Sequence, residues 1–342
     1  MVPQEILVSF VRPVVMDSVE IESFLRKRFR DIKKPKMRSV LRIQDEVLSG
    51  LRDFLRGEGF VEILAPIIGP VTDPGIRGAR QVSFDYYGHR FKIMSSMILY
   101  KQMVISSLDK VFALSPNVRL EPEATLATRR HLSEFRQLDL EVAEASYFDV
   151  MELGERMVHY VCDRVKRQRA EDLKRLGREL RSHSPPFRRM SHAEAVDLLR
   201  SEGFEVRGEE EIPWDAEEAL SAMFDEPFWI YDYPLTARGF YDLEDPERPG
   251  ILRDFDLMYP EGFGEAVSGG EREYQLEGVL ARMRATGQDP SEYRWYLDML
   301  REGIRRSAGF GIGIERLTRY ICGVENIWDA VPFPKVPGIA SL

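Results

Sequence analysis

Cysteine is nearly missing from this chain: only Cys162 and Cys322 occur among 342 residues. They lie far apart with no close pairing to histidine, so neither a disulfide framework nor a cysteine zinc site is available, and both read as buried structural thiols. No run of about 18 apolar residues exists, which excludes a helical membrane span. The opening MVPQEILVSF lacks the basic region and cleavage pattern of an export signal. A cytoplasmic protein with no membrane association is therefore expected. An excess of positive charge is also lacking. The formal net charge is −9, which argues against broad attraction to a polyanion, because backbone affinity comes from clustered Lys and Arg. Finally, no Gly-Lys-Ser/Thr and no Gly-x-Gly-x-x-Gly occurs, so neither a P-loop nor a dinucleotide fingerprint supplies a nucleotide site.

What remains is a composition of 44% hydrophobic and 31% charged residues, enough for one large core with a small appendage. Residues 1–37 read as an N-terminal extension that carries the basic run Phe24-Leu-Arg-Lys-Arg-Phe-Arg30 and Lys33-Lys-Pro-Lys36. Residues 38–342 read as one catalytic domain. From Ser39 to Glu58, Leu41, Val47, Leu48, Leu51 and Leu55 recur at helical spacing, with Gly57 and Gly59 as the stop. Strand-like runs follow at Arg90–Met94, Lys110–Leu114, Gln137–Val142 and Phe228–Tyr231. Several are joined by loops rather than crossover helices, which favours an α+β antiparallel sheet flanked by helices over a doubly wound parallel sheet. Residues 148–224 read as a mainly helical insertion, broken at Ser184-Pro-Pro186. The run Arg164-Val-Lys-Arg-Gln-Arg169 reads as a solvated helix face or, alternatively, a weak tRNA contact.

Two arginine-centred regions carry the chemistry. The first holds Asn117-Val-Arg-Leu-Glu121, Arg129-Arg-His-Leu-Ser-Glu-Phe135 and then Gln137 and Asp139; the second is Gly309-Phe-Gly-Ile-Gly-Ile-Glu-Arg316. Condensing a carboxylate with ATP builds negative charge on the α-phosphate and on departing pyrophosphate, so fixed cations are required. Guanidinium groups suit this because they stay charged and grip two phosphate oxygens in a plane. Together the two regions resemble the second and third signature motifs of class II aminoacyl-tRNA synthetases. The helix over residues 39–58 and Phe60-Val-Glu-Ile-Leu-Ala-Pro66 resemble the first, which in that family builds a homodimer interface.

The resemblance implies a role for each residue. Arg119 would hold the α-phosphate and the reacting carboxylate, and Glu121 would accept from the adenine amino group or orient the loop. Arg129, Arg130 and His131 would meet the outer phosphates, and Phe135 would stack on adenine. Gly313 belongs to an alternating glycine strand that allows close approach to the base. Arg316 would cover the opposite face of adenine or meet the γ-phosphate. Asp256 and Glu265 would hold Mg2+ brought in with ATP.

Within class II, the closest resemblance is to the aspartyl and asparaginyl branch, through Ser95-Ser-Met-Ile-Leu-Tyr-Lys-Gln102 and Ser268-Gly-Gly-Glu-Arg-Glu273. Ser96, Lys101, Gln137, Asp139 and Arg272 are then substrate residues, with Asp73 near a mobile substrate loop. Lys101 and Arg272 read as two cations open to an acidic side chain, which points to L-aspartate rather than asparagine. Two departures stand out. Ile98 occupies the place of the branch's glutamine, and the hundred or so residues of an anticodon-binding barrel are not found before the first motif. The combination is similar to the archaeal asparagine synthetases related to asparaginyl-tRNA synthetase. That resemblance implies a β-aspartyl adenylate amidated by ammonia, with tRNA disfavoured as a partner. The alternatives are tRNA charging with aspartate or asparagine, and another amine acceptor. The base that deprotonates ammonium stays open, with Glu265 one choice.

Overall fold

The computed structural model describes residues 18–74 and 78–340. The first part of the expected extension, residues 1–17, lies outside the described residues. Helix α1 (Ser18–Arg26) and a single turn at Arg28–Asp31 precede the long helix α2 (Pro35–Gly57). Pro35 opens α2 at a position where a missing N–H costs nothing, and Gly59 at φ 84° turns the chain away after it. Because α2 begins before residue 38, the helix runs across the expected domain boundary. The extension is also packed down. Ile21 and Leu25 share a small core with Leu132, Ile327, Trp328, Val331 and Val336.

An eight-stranded sheet forms the centre, in the order β1-β5-β6-β11-β10-β9-β8-β7. The strands are β1 (Val61–Glu62), β5 (Lys110–Val118), β6 (Glu134–Ala143), β7 (Arg188–Ser191), β8 (Phe228–Tyr231), β9 (Asp254–Tyr259), β10 (Gly264–Glu271) and β11 (Ser307–Gly313). The interior pairs are antiparallel, and the two outermost pairs, β1 with β5 and β7 with β8, are parallel. The α+β expectation therefore holds. Three shorter strands, β2 (Ile68–Gly69), β3 (Ser83–Tyr86) and β4 (His89–Ile93), form a separate small sheet. The Arg90–Met94 run thus builds an accessory hairpin rather than a strand of the main sheet.

Period-two alternation divides the sheet into an apolar and a polar face. Leu138, Leu140, Phe255, Leu257, Ala308, Phe310 and Ile312 face one core. This core is covered by α2, α4 (Tyr147–Gln168), α5 (Ala170–Leu176) and α10 (Ile314–Cys322). Full burial of each leucine or phenylalanine there stabilises by about 1.5–3 kcal/mol. The alternate residues Gln137, Asp139, Asp254, Ser268, Gly311 and Gly313 line a cavity on the opposite face.

Residues 148–224 hold several helices and also contribute β7 to the main sheet. Helices α6 (His192–Ser201) and α7 (Trp214–Ala222) cover a second core with Phe228 and Ile230. A third core gathers α3 (Ile98–Ile105), α8 (Leu276–Ala285) and α9 (Arg294–Glu302) around Phe240, Tyr293 and Tyr296. No helix among the described residues is long and apolar enough to cross a membrane.

Candidate active site

The cavity is built where β6, β9, β10 and β11 present their polar face. Antiparallel register sets Gln137 opposite Gly313, Asp139 opposite Gly311 and Glu141 opposite Gly309. The glycines make room for these side chains. A Cβ at Gly309 would lie 2.2 Å from both Glu141 Oε2 and the Leu140 carbonyl, and one at Gly311 would lie 2.5 Å from Gln137 Nε2. Of the three alternating glycines, Gly311 and Gly313 line the cavity. Gly309 instead packs the floor.

One end of the cavity gathers Arg119, Glu121, Arg130, His131, Phe135, Glu265, Gly313 and Arg316. The Arg119 guanidinium lies 5.1 Å from the Phe135 ring centroid and donates from Nε to the Ser95 carbonyl at 3.1 Å. That anchoring leaves its two Nη groups for ligand oxygens. Arg316 Nη1 donates to the Glu265 carbonyl at 2.9 Å and lies 3.0 Å from Glu265 Oε1. Burial lowers the Arg316 pKa, with Glu265 opposing the shift. Glu315, next to it at the start of α10, accepts the Arg136 N–H with both oxygens at 2.9 and 3.0 Å. It thereby ties the two motifs together; burial still pushes its pKa up to about 7.

Arg130 is buried, and its guanidinium is gripped by Glu217 of α7, with Nη2 to Oε2 at 2.8 Å. Glu217 also accepts the backbone N–H of Glu265 at 2.7 Å. His131 packs 5.0 Å from Trp214, also of α7. The helical insertion thus supplies part of the wall at this end of the cavity. Arg129 goes elsewhere. It takes a left-handed conformation at φ 55°, pairs with Glu325 and is absent from the cavity lining, so the structure does not bring it together with the other residues expected at the phosphates.

The two expected metal carboxylates also separate. Glu265 lines the cavity, whereas Asp256 is covered by Arg238, whose Nη2 donates to Asp256 Oδ2 at 2.6 Å. Asp254, two residues earlier on the same face of β9, reaches the cavity in place of Asp256. It accepts from Arg238 Nε at 2.9 Å, and burial pushes its pKa up to about 7. No group of three or more metal-ligating side chains is assembled among the described residues. Mg2+ carried by ATP needs only one or two protein carboxylates beside phosphate oxygens, so Glu265 fits the ion while Asp256 is committed to Arg238.

The other end holds Asp73, Ser96, Ile98, Lys101, Gln137, Asp139, Tyr241, Asp242 and Arg272. Here the expected pair of open cations is not found. Lys101 Nζ donates to the carbonyls of Leu140 (3.0 Å) and Phe310 (3.2 Å) and lies 3.3 Å from Glu141 and 3.5 Å from Asp139. Its three protons are consumed, and burial lowers its pKa against the pull of Glu141 and Asp139. Arg272 meets Glu141 through Nε at 3.0 Å, Asp242 through Nη1 at 3.2 Å and the Gly309 carbonyl through Nη2 at 2.7 Å. Asp73 accepts from the Tyr241 hydroxyl at 2.9 Å. Among the described residues the carboxylates of Asp139, Glu141 and Asp242 already meet both cations, so the charge argument for an acidic side chain fails. A neutral or donor-bearing group suits this end better.

Glu217, Trp214, Arg238, Tyr241 and Asp242 were not singled out from sequence. They come from loops and from the insertion, and nothing in their local pattern marks them; only the folded chain brings them to the cavity.

The geometry agrees with known proteins. A family model for class II tRNA synthetases of the D, K and N type matches residues 20–337. The asparagine–tRNA ligase of Pyrococcus abyssi is 34% identical over 319 residues, which is 92% of this chain and 72% of that protein. Asparaginyl-tRNA synthetase from Pyrococcus horikoshii, solved with asparaginyl-adenylate, has a TM-score of 0.86 at 32% identity, covering 93% of this chain and 73% of that one. Aspartyl tRNA synthetase from Entamoeba histolytica has a TM-score of 0.79 at 26% identity, covering 99% and 67%. These relatives are tRNA ligases rather than ammonia-dependent synthetases, and they give no support to the expectation that tRNA is disfavoured as a partner.

Proposed function

Because this chain belongs to the class II tRNA synthetases of the D, K and N group, we propose that its cavity joins the α-carboxylate of asparagine to ATP and passes the acyl group to tRNA. The observation that carries this reading is the pairing of Arg119, Arg316 and Phe135 at one end of a single cavity with a carboxylate-rich end at the other. The first end suits a nucleotide and the second an amide side chain with an α-ammonium group. In the first step a carboxylate oxygen attacks the α-phosphorus in line, a C–O–P linkage forms, and the bond to the β-phosphate breaks to release pyrophosphate. Arg119 and Arg316 oppose the charge that builds on the phosphates. Phe135 stacks on the base, and Asp139 with Gln137 orients the amino-acid backbone. Magnesium bound with the nucleotide would neutralise phosphate charge, with Glu265 as its protein carboxylate. A tRNA hydroxyl then attacks the carbonyl carbon and AMP leaves.

Residues 61–68 expose Val61, Leu64, Ile67 and Ile68 in one stretch, with Leu64 98% accessible. A homodimer closing over this stretch is part of the same proposal, since apolar surface of this kind is stabilised by burial against a second copy.

One observation favours a second reading. Ile98, which stands where the aspartyl and asparaginyl branch has glutamine, lines the cavity with an apolar side chain, and this leaves room for aspartate to bind turned around and present its β-carboxylate to ATP. Ammonia would then displace AMP to give asparagine. Pyrophosphate exchange with asparagine or aspartate, followed by mass spectrometry of products with tRNA or ammonium added in parallel, tests both readings. Asparaginyl-tRNA is the expected product; asparagine formed from aspartate and ammonium would replace the first reading by the second.

A further inference from the structure

Arg272 and Asp242 face each other across an isolated antiparallel bridge. The backbone holds them there: Leu243 N–H donates to Glu271 O at 3.0 Å and Glu273 N–H to Tyr241 O at 2.9 Å. Both side chains are buried, both line the cavity, and Asp242 Oδ1 takes one of the Arg272 Nη1 protons. The opposite edge of the guanidinium is already filled by Glu141 and by the Gly309 carbonyl. A substrate group that reaches Arg272 from the cavity therefore meets Nη1, and Asp242 beside it. Burial raises the Asp242 pKa, against the pull of Arg272, Arg238 and Arg282. However, Arg238 is committed to Glu211, Asp254 and Asp256, and Arg282 to the carbonyls of Leu235 and Gly239. They do not turn this corner positive.

We infer that Asp242 is the residue that makes the pocket select a neutral amide over a carboxylate. The inference deepens the proposed function and rests on its placement of the amino-acid side chain at Arg272. An amide answers both neighbours at once: its oxygen accepts from Arg272 Nη1 and its NH2 donates to Asp242. A carboxylate accepts from Arg272 equally well but has no proton for Asp242, and two like charges then stand side by side. Selectivity comes from the repulsive partner, not from the arginine.

The test measures ATP–pyrophosphate exchange with asparagine and with aspartate in the full-length wild type, Asp242→Leu and the isosteric Asp242→Asn. In the leucine variant the aspartate-to-asparagine ratio of kcat/KM rises at least about tenfold, and in the asparagine variant it moves the same way by less. If the leucine variant fails to fold, the asparagine variant carries the test alone. A purely structural role would lower both substrates alike; an unchanged ratio overturns the inference and leaves the proposed function standing. If the wild type activates aspartate alone and the variants lose that activity, the α-amino group sits at Asp242, and both the inference and the asparagine reading fall.

Discussion

Replacing Glu217 by alanine removes a side chain that grips both the Arg130 guanidinium and the Glu265 backbone N–H. Arg130 is 5% and Glu217 4% exposed at the side chain, so water cannot take over. Breaking a buried pair by deleting one partner costs about 3–5 kcal/mol, because an uncompensated charge stays behind. For 342 residues, this corresponds to a loss of about 4–7 °C in Tm, taking an unfolding entropy of about 2.1 cal/mol/K per residue. The loss should be partly reversible by ligand. ATP with magnesium brings phosphates that replace the missing carboxylate beside Arg130, so ATP should raise Tm further in Glu217→Ala than in the wild type. KM for ATP should change while aspartate and asparagine discrimination stays put. Calorimetry with and without nucleotide is the assay. A variant that melts within about 1 °C of the wild type, or gains no extra protection from ATP, would refute the argument that Glu217 holds a phosphate-binding arginine in place.

Three further outcomes follow from the same geometry. Arg119→Ala should lower pyrophosphate exchange by about a thousandfold, and a loss below tenfold would remove Arg119 from the phosphate site. Glu315 carries a raised pKa of about 7 against an ordinary 4.5. The folded state therefore holds the proton more tightly, its stabilising contribution is complete below the unfolded value, and it is lost as pH rises through about 7. Urea unfolding should show Glu315→Gln gaining about 1–3 kcal/mol on the wild type between about pH 5 and pH 8, whereas parallel profiles would contradict the assignment. Gly309→Ala places a Cβ 2.2 Å from the Leu140 carbonyl. It should destabilise by at least about 2 kcal/mol, read as a lower Tm or loss of soluble protein.

The strands that were legible in sequence are those with one apolar face against helices. Gln137–Val142 falls within β6 and Phe228–Tyr231 coincides with β8, because alternation at period two records which side of each strand meets the core. The helix over residues 39–58 was legible for the matching reason at period 3.6. Its start at Pro35 was missed because a basic, polar first turn carries no periodic signal. β9 and β10 had no such simple pattern, since their cavity faces bear Asp254, Asp256, Glu265 and Ser268.

The chemical types of the nucleotide site were written in contiguous residues. Arg119, Phe135 and Arg316 belong to strings that antiparallel register brings together, and that register is dictated by the hydrophobic face of the sheet. Charge balance was not. Whether Lys101 and Arg272 act as open cations depends on Glu141, Asp242 and Asp139, and whether Asp256 is open depends on Arg238, which approaches from a loop. Residue identity tells which charges exist. Their net field depends on distance and burial, and those follow from long-range packing that no local pattern encodes.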